Sequence, residues 1–104
     1  MVQQMPISTN VIEMLDALAP GIPLNMQVSH LVEQELRRRL ARYQLTDRLF
    51  QEKYKMSLDE FEARGMVEQL DYSFEVEGDH QDWDLAVDGI QSVKHQLLTL
   101  RGMA

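Results

Sequence analysis

The residues with the clearest capacity for chemistry are the carboxylates that crowd the second half of the 104-residue chain. The densest run consists of Glu75, Glu77, Asp79, His80, Asp82 and Asp84. Converging oxygens bind hard cations, and a calcium loop places acids at alternate positions around a central glycine. The run alternates, but neither Gly78 nor the spacing to a terminal bidentate glutamate fits that loop. We therefore predict a solvated acidic face, with no metal ion or other cofactor.

The residues that nucleophilic catalysis requires are missing or wrongly spaced. The chain has no cysteine, which excludes thiolate zinc sites and cysteine nucleophiles. The histidines His30, His80 and His95 form neither an i,i+4 pair nor an HExxH motif. No serine lies in a GxSxG elbow, and the glycines form no phosphate-binding loop. The sequence thus predicts a protein that is not an enzyme.

The net charge of −7 is unevenly distributed along the chain. Residues 1–52 carry 5 basic and 6 acidic side chains, whereas residues 53–104 carry 5 basic and 11 acidic ones. All 11 of those acids lie between Met56 and Asp88, where Arg64 is the only opposing cation. Such a surface attracts a basic protein and repels free duplex DNA. We expect a basic protein partner.

Aromatic residues within the acidic tract are candidate anchors for that partner, because interfaces favour aromatic side chains at their centre. From Tyr72 to Glu77 apolar and polar residues alternate, which is the period-2 pattern of a strand. We expect a short extended segment here, which either packs on helices or pairs with a strand of another chain. The predicted partner-binding residues are Tyr72, Phe74, Glu75, Glu77, Asp79, Asp82 and Asp84.

A basic group in the first half gives an alternative function. It comprises Arg37, Arg38, Arg39, Arg42 and Arg48. Arginines grouped on one helix can contact phosphates, which would make the protein a nucleic-acid-binding transcriptional regulator. Glu33 and Glu35 precede Arg37 and Arg39 by four residues, however, so intrahelical ion pairs also explain the pattern.

Helical periodicity dominates the elements that must position these residues. The spacing predicts a short helix over Val11–Leu18 and a long one from about Met26 to Tyr54. Asp47 falls on the apolar seam of the long helix, so a break near Thr46–Asp47 is an alternative to one continuous helix. The seam is extensive for so small a chain, and we expect a second copy to cover it. The predicted homodimer interface consists of Val32, Leu36, Leu40, Tyr43 and Phe50.

Two further helices are predicted from their ends. Ser57 and Glu60 form a capping box, with Met56 and Phe61 as its hydrophobic staple. A last helix is predicted after Asp79 as its cap, with an apolar stripe from Trp83 to Leu100. Gly65 and Gly102 are placed to end these two helices.

The predicted fold class is all-α, a single helical domain over residues 1–104. It has three to four helices, a long central helix and one short extended segment. The sequence shows neither a basic leader with an apolar region nor an apolar run of about 20 residues that could span a membrane. We expect a cytoplasmic protein.

Two tracts resemble a known class of protein. Val28–Leu40 (VSHLVEQELRRRL) and Lys53–Phe61 (KYKMSLDEF), followed by Glu62, are similar to helical stretches of small prokaryotic antitoxins. The resemblance covers about a third of the chain. It implies a small acidic protein that dimerises, neutralises a basic toxin and in some cases binds its own operator.

Overall fold

The computed structural model describes residues 7–102, and within that range it contains five α-helices and no strand. The helices are α1 (Thr9–Leu18), α2 (Leu24–Tyr54), α3 (Leu58–Ala63), α4 (Met66–Gln69) and α5 (Phe74–Leu100). The all-α class and the long central helix are thereby confirmed. The chain forms two compact units, one ending at Glu35 and the other beginning at Leu36. No described helix is long and apolar enough to cross a membrane.

The N-terminal unit is a helical hairpin of α1 and the start of α2. Ser8 caps α1 by accepting a hydrogen bond from the Val11 amide at 3.3 Å. Gln27 is buried, and its Nε2 donates to the carbonyl oxygens of Leu15 at 3.3 Å and Ala19 at 2.9 Å. These two carbonyls belong to the last turn and C-cap of α1, and they also accept from the Ala19 and Ile22 amides, so the Gln27 side chain adds bonds that join the start of α2 to the end of α1.

Helix α2 runs through Thr46 and Asp47 without a break. The Asp47 carboxylate accepts a hydrogen bond from the indole Nε1 of Trp83 at 2.8 Å. This bond explains why an acidic residue stands on an otherwise apolar seam. The helix continues because the polar side chain at the seam has a partner on α5.

The core of the C-terminal unit is aromatic. Trp83 and Phe61 are fully buried, with Leu58 and Val76 beside them. The ring centroid of Trp83 lies 5.6 Å from Phe50, 5.9 Å from Tyr54 and 5.3 Å from Phe61. These separations fall in the range preferred by aromatic pairs, so one indole joins α2, α3 and α5.

The short helix α3 begins as its sequence predicts. Ser57 is the N-cap, and its hydroxyl accepts from the Glu60 amide at 3.2 Å. Met56 packs against the cluster that contains Phe61, as the predicted staple requires. Gly65 follows the C-cap of α3 with φ of +61°, a left-handed conformation that glycine adopts without steric cost.

The predicted extended segment Tyr72–Glu77 is wrong, because α5 already begins at Phe74. Ser73 is the N-cap, and its hydroxyl accepts from the Val76 amide at 3.2 Å. Asp79, predicted as the cap, lies in the second turn. Only Val76 of the alternating apolar residues is buried, so the alternation does not reflect a strand with one covered face.

Part of the predicted dimer seam is covered by the chain itself. Phe50 stacks on Trp83, and Tyr43 packs so closely on α5 that a Cβ at Gly89 would lie 2.6 Å from its ring. Gly89 therefore permits a close approach that a larger residue would block. Leu36 and Leu40 are half-buried, whereas Val32 is exposed.

Candidate protein-interaction surface

The turn between α4 and α5 presents the most exposed large apolar side chain among the described residues. This is Phe74, the first residue of α5, with 95% of its surface exposed. Tyr72 is 58% exposed and Leu70 is also exposed. Asp71 and Tyr72 both have left-handed φ values, +59° and +50°, which turn the chain sharply into the Ser73 cap. We call Leu70, Tyr72 and Phe74 the aromatic turn.

Carboxylates surround the aromatic turn. Glu75 and Glu77 lie in the first turn of α5, where the helix dipole favours negative charge, and both are exposed. The pKa of the Tyr72 phenol is raised, first by its desolvation and then by the negative charge of the nearby Glu68 carboxylate. The surface thus combines an exposed aromatic pair with unburied negative charge.

Two of the predicted partner-binding acids already have a partner within the chain. Lys53 Nζ lies 2.7 Å from Glu75 Oε1 and 2.5 Å from Asp79 Oδ2. The Tyr54 hydroxyl donates to the same Asp79 oxygen at 2.6 Å. Partial burial raises the pKa of Asp79, but the hydrogen bonds from Lys53 and Tyr54 outweigh it and lower the pKa overall. Asp79 therefore has a structural role in joining α5 to α2.

The remaining predicted acids point in two directions along α5. Asp84 shares the helical spacing of Phe74 and Glu77, so these three lie on one side of the helix. Leu85, 67% exposed, lies on this side as well. Asp82 lines a shallow groove with Phe50, and Leu85 also borders this groove. The structure brings Tyr72, Phe74, Glu77 and Asp84 to one exposed surface, and it separates Asp79 and Asp82 from them.

Sequence reasoning missed residues that extend this surface. Leu85 is apolar but does not lie on the buried face of α5. Its position outside the helical spacing of the buried residues could have identified it from the sequence. Glu68 was missed because it comes near Tyr72 only through the turn between α4 and α5. Leu70, which is exposed, lies in the same turn. We call Tyr72, Phe74, Glu77, Asp84 and Leu85 the aromatic–acidic face.

A groove of about 300 Å³ adjoins this face between α3, α4 and the start of α5. Phe61 and Met66 line it together with Glu62, Glu68, Tyr72 and His80. His80 Nε2 lies 3.5 Å from Glu62 Oε1, is shielded from solvent and forms no hydrogen bond. The groove therefore combines apolar side chains with two carboxylates.

The arginine group lies on α2 with its side chains exposed. Arg39 and Arg42 line a shallow groove with Tyr43 and Thr46. Glu33, Glu35, Arg37, Arg38 and Arg39 all have interaction partners. Among residues 7–102, no three acidic or histidine side chains converge as a metal-binding group.

Comparison with protein-family models, with curated proteins and with solved structures finds no match for this chain.

Proposed function

We propose that this chain is a non-enzymatic binding protein of the antitoxin type, which holds and neutralises a basic protein partner through its aromatic–acidic face. The observation that carries the proposal is the exposure of Phe74, 95%, on a surface flanked by carboxylates. A phenylalanine so exposed contributes nothing to the chain's own core. It gains free energy only when a partner covers it.

The face has the composition of a protein-binding hot spot. Aromatic residues dominate the binding energy of many interfaces, and charged residues around them steer association and choose the partner. Glu77, one turn beyond Phe74, and Asp84, nearly three turns beyond it on the same side of α5, are exposed and make no ion pair within the described part of the chain. A partner that brings lysine or arginine to this surface would neutralise them.

The proposal is tested by co-expression with the product of the adjacent gene. We expect a small basic protein that arrests growth when produced alone and co-purifies with this chain as a harmless complex. A neighbour that is harmless alone and does not associate contradicts the antitoxin assignment.

Replacing Phe74 by alanine is expected to weaken the complex by about 30-fold, the effect of losing roughly 2 kcal/mol at a hot spot. Isothermal titration calorimetry with the basic partner measures this change. Leu98→Ala is the matched control, because Leu98 is an exposed apolar residue near the opposite end of α5 from Phe74. Equal affinities for the wild type and Phe74→Ala would remove Phe74 from the interface.

The nucleic-acid alternative rests on the exposed arginines of α2, with Arg42 and Arg48 the clearest candidates. Phosphate contacts give an affinity that falls steeply with salt concentration. Filter binding of duplex DNA between low and moderate salt tests this function. Absence of binding at low salt disposes of it.

The homodimer is also part of the proposal, with the N-terminal hairpin as its interface in place of Tyr43 and Phe50. Leu15 is the one buried apolar residue described in this unit of 35 residues. Below about 40 residues a chain rarely stabilises itself without a disulfide, metal or second copy. Eleven large apolar side chains of the unit are exposed: Ile7, Val11, Ile12, Met14, Leu18, Ile22, Leu24, Met26, Val28, Leu31 and Val32.

The charge of the hairpin argues for a second copy as the occupant. Residues 1–35 contain no lysine or arginine, so anionic lipid and nucleic acid are poor partners. The groove between the helices has no aspartate, glutamate, lysine or arginine in its lining, which includes Leu18, Gln27, His30 and Leu31. Two such grooves can face each other across a twofold axis in a four-helix arrangement, because the four acids of the hairpin, Glu13, Asp16, Glu33 and Glu35, are not among the residues that line the groove.

Leu18→Glu is expected to raise the dissociation constant of the dimer by about a hundredfold, because it places a charge in an apolar interface. Sedimentation velocity across a concentration series measures this constant. Leu85→Glu is the matched control, since Leu85 is 67% exposed and Leu18 is 74% exposed. A wild type that stays monomeric at high concentration, or a dimer that tolerates Leu18→Glu, contradicts this interface.

A further inference from the structure

The groove between α3, α4 and α5 has the shape and composition of a side-chain pocket. Its volume is about 300 Å³, and the rings of Phe61 and Tyr72 line it together with Met66. Phe61 is fully buried and Met66 is half-buried, so the apolar part of the groove is held firmly by the core. Such a surface can pack the carbon stem of a long side chain.

The groove also carries negative charge that no lysine or arginine of the described chain neutralises, although the His80 ring lies 3.5 Å from Glu62 Oε1. Glu62 and Glu68 both line it, and within residues 7–102 neither forms an ion pair with lysine or arginine. Arg64 and Lys53 both pair with carboxylates that do not line the groove. Arg64 pairs with Glu60 at 2.7 Å, and Lys53 pairs with Glu75 and Asp79.

We propose that this groove receives an arginine side chain of the basic partner, an inference that rests on the proposed function. The stem of the arginine packs on the half-buried Met66 and Val67, above the buried ring of Phe61, and its guanidinium reaches the carboxylates of Glu62 and Glu68. Tyr72 supplies an aromatic face to the same cation.

Arginine suits the groove better than lysine for two reasons. Its planar guanidinium presents five donors, so it can serve two carboxylates at once. The guanidinium is also less strongly hydrated than an ammonium group, so its transfer into an apolar groove costs less free energy. It can in addition stack on the ring of Tyr72.

The chemical probe is the blocked tripeptide acetyl-Gly-Arg-Gly-amide, added to the full ¹⁵N-labelled chain and followed by NMR. We expect saturable shifts in the amide signals of Gly65, Met66 and Tyr72. The same peptide with citrulline, which is neutral and nearly isosteric, should bind about tenfold more weakly or not at all, because charge-assisted hydrogen bonds are lost. The affinity of the corresponding lysine peptide should lie between those of the arginine and citrulline peptides.

The double variant Glu62→Gln, Glu68→Gln is expected to weaken binding of the arginine peptide by about tenfold or more, since it removes both charged acceptors. Glu52→Gln, an exposed glutamate of α2, is the matched control. Equal binding of the citrulline peptide, an unchanged affinity of the double variant, or shifts confined to other residues would each overturn the proposal.

The two proposals can fail separately. A basic partner that depends on Phe74, but binds equally to the Glu62→Gln, Glu68→Gln variant, overturns the arginine site and leaves the binding function intact. An arginine peptide that occupies the groove, in a protein whose neighbour is neither basic nor bound, supports the site and contradicts the antitoxin function.

Discussion

Trp83→Ala is expected to lower the free energy of unfolding of the C-terminal unit by about 3–5 kcal/mol, the cost of removing a large buried aromatic side chain. The indole is fully buried between Phe50, Tyr54 and Phe61. Its removal leaves a cavity at the centre of the core and also leaves the half-buried Asp47 carboxylate without its hydrogen bond. Because small domains have only about 5–15 kcal/mol of stability, this loss would bring the unit close to unfolding.

Urea unfolding followed by far-UV circular dichroism measures the change. Fluorescence cannot be used, since Trp83 is the chain's one tryptophan. Trp83→Phe should cost less, because it keeps an aromatic ring while losing the bond to Asp47. Leu98→Ala is an exposed control on the same helix. A loss below about 1 kcal/mol, typical of a surface position, would contradict the central role of the indole.

The features that the sequence predicts correctly are those decided within one or two helical turns. The Ser57 cap, the staple of Met56 and Phe61, and the left-handed Gly65 all depend on neighbours a few residues away. The long central helix is similarly evident from a period that persists over many residues. Local signals of this kind are complete in the sequence itself.

The continuity of α2 depends on a contact that the sequence does not display. Asp47 interrupts the apolar seam, and its partner Trp83 is 36 residues further along the chain. Without that partner, an acid at a seam position indicates a break. With it, the same acid stabilises the packing of α2 on α5.

The start of α5 shows the opposite case, where a local pattern is ambiguous. Tyr72, Phe74 and Val76 have the spacing of a strand, yet the Ser73 cap begins a helix at the next residue, Phe74. Short apolar alternation over six residues cannot distinguish the two. The candidate surface was predicted in part, since Tyr72 and Phe74 are exposed. The groove beside it was not, because it forms only where α3, α4 and the start of α5 meet.

Stability is expected to fall as the pH rises from about 10 to 12, because Tyr54 titrates in that window. Burial and the hydrogen bond to Asp79 raise the pKa of Tyr54 to about 12, so the folded chain favours the protonated phenol. This contribution is fully present below the unfolded pKa of about 10 and is lost as the pH passes through the folded value. We expect a loss on the order of 1–2 kcal/mol, since the phenol is only partly buried.

Lys53 contributes in the same direction, because the hydrogen bonds to Asp79 and Glu75 raise its pKa as well. Urea unfolding at a series of pH values between 9 and 12 would therefore reflect both groups. Tyr54→Phe should remove the tyrosine part of the slope and leave that of Lys53, whereas Lys53→Gln should do the reverse. Identical slopes for the wild type and Tyr54→Phe would show that the phenol does not carry the effect.

Asp79→Asn is the most informative variant, because the Asp79 carboxylate accepts hydrogen bonds from both Lys53 and Tyr54. The lowered pKa of Asp79 means that its contribution is present above about pH 4 and is lost as the pH falls through the folded value. Replacing the carboxylate by an amide should therefore reduce the loss of unfolding free energy at acid pH. It should also reduce the loss between pH 9 and 12, because Lys53 and Tyr54 no longer have the carboxylate as a partner. If Asp79→Asn loses as much stability between pH 9 and 12 as the wild type does, the pKa values of Lys53 and Tyr54 do not depend on the Asp79 carboxylate. That result would contradict the role of the hydrogen bonds seen between α2 and α5.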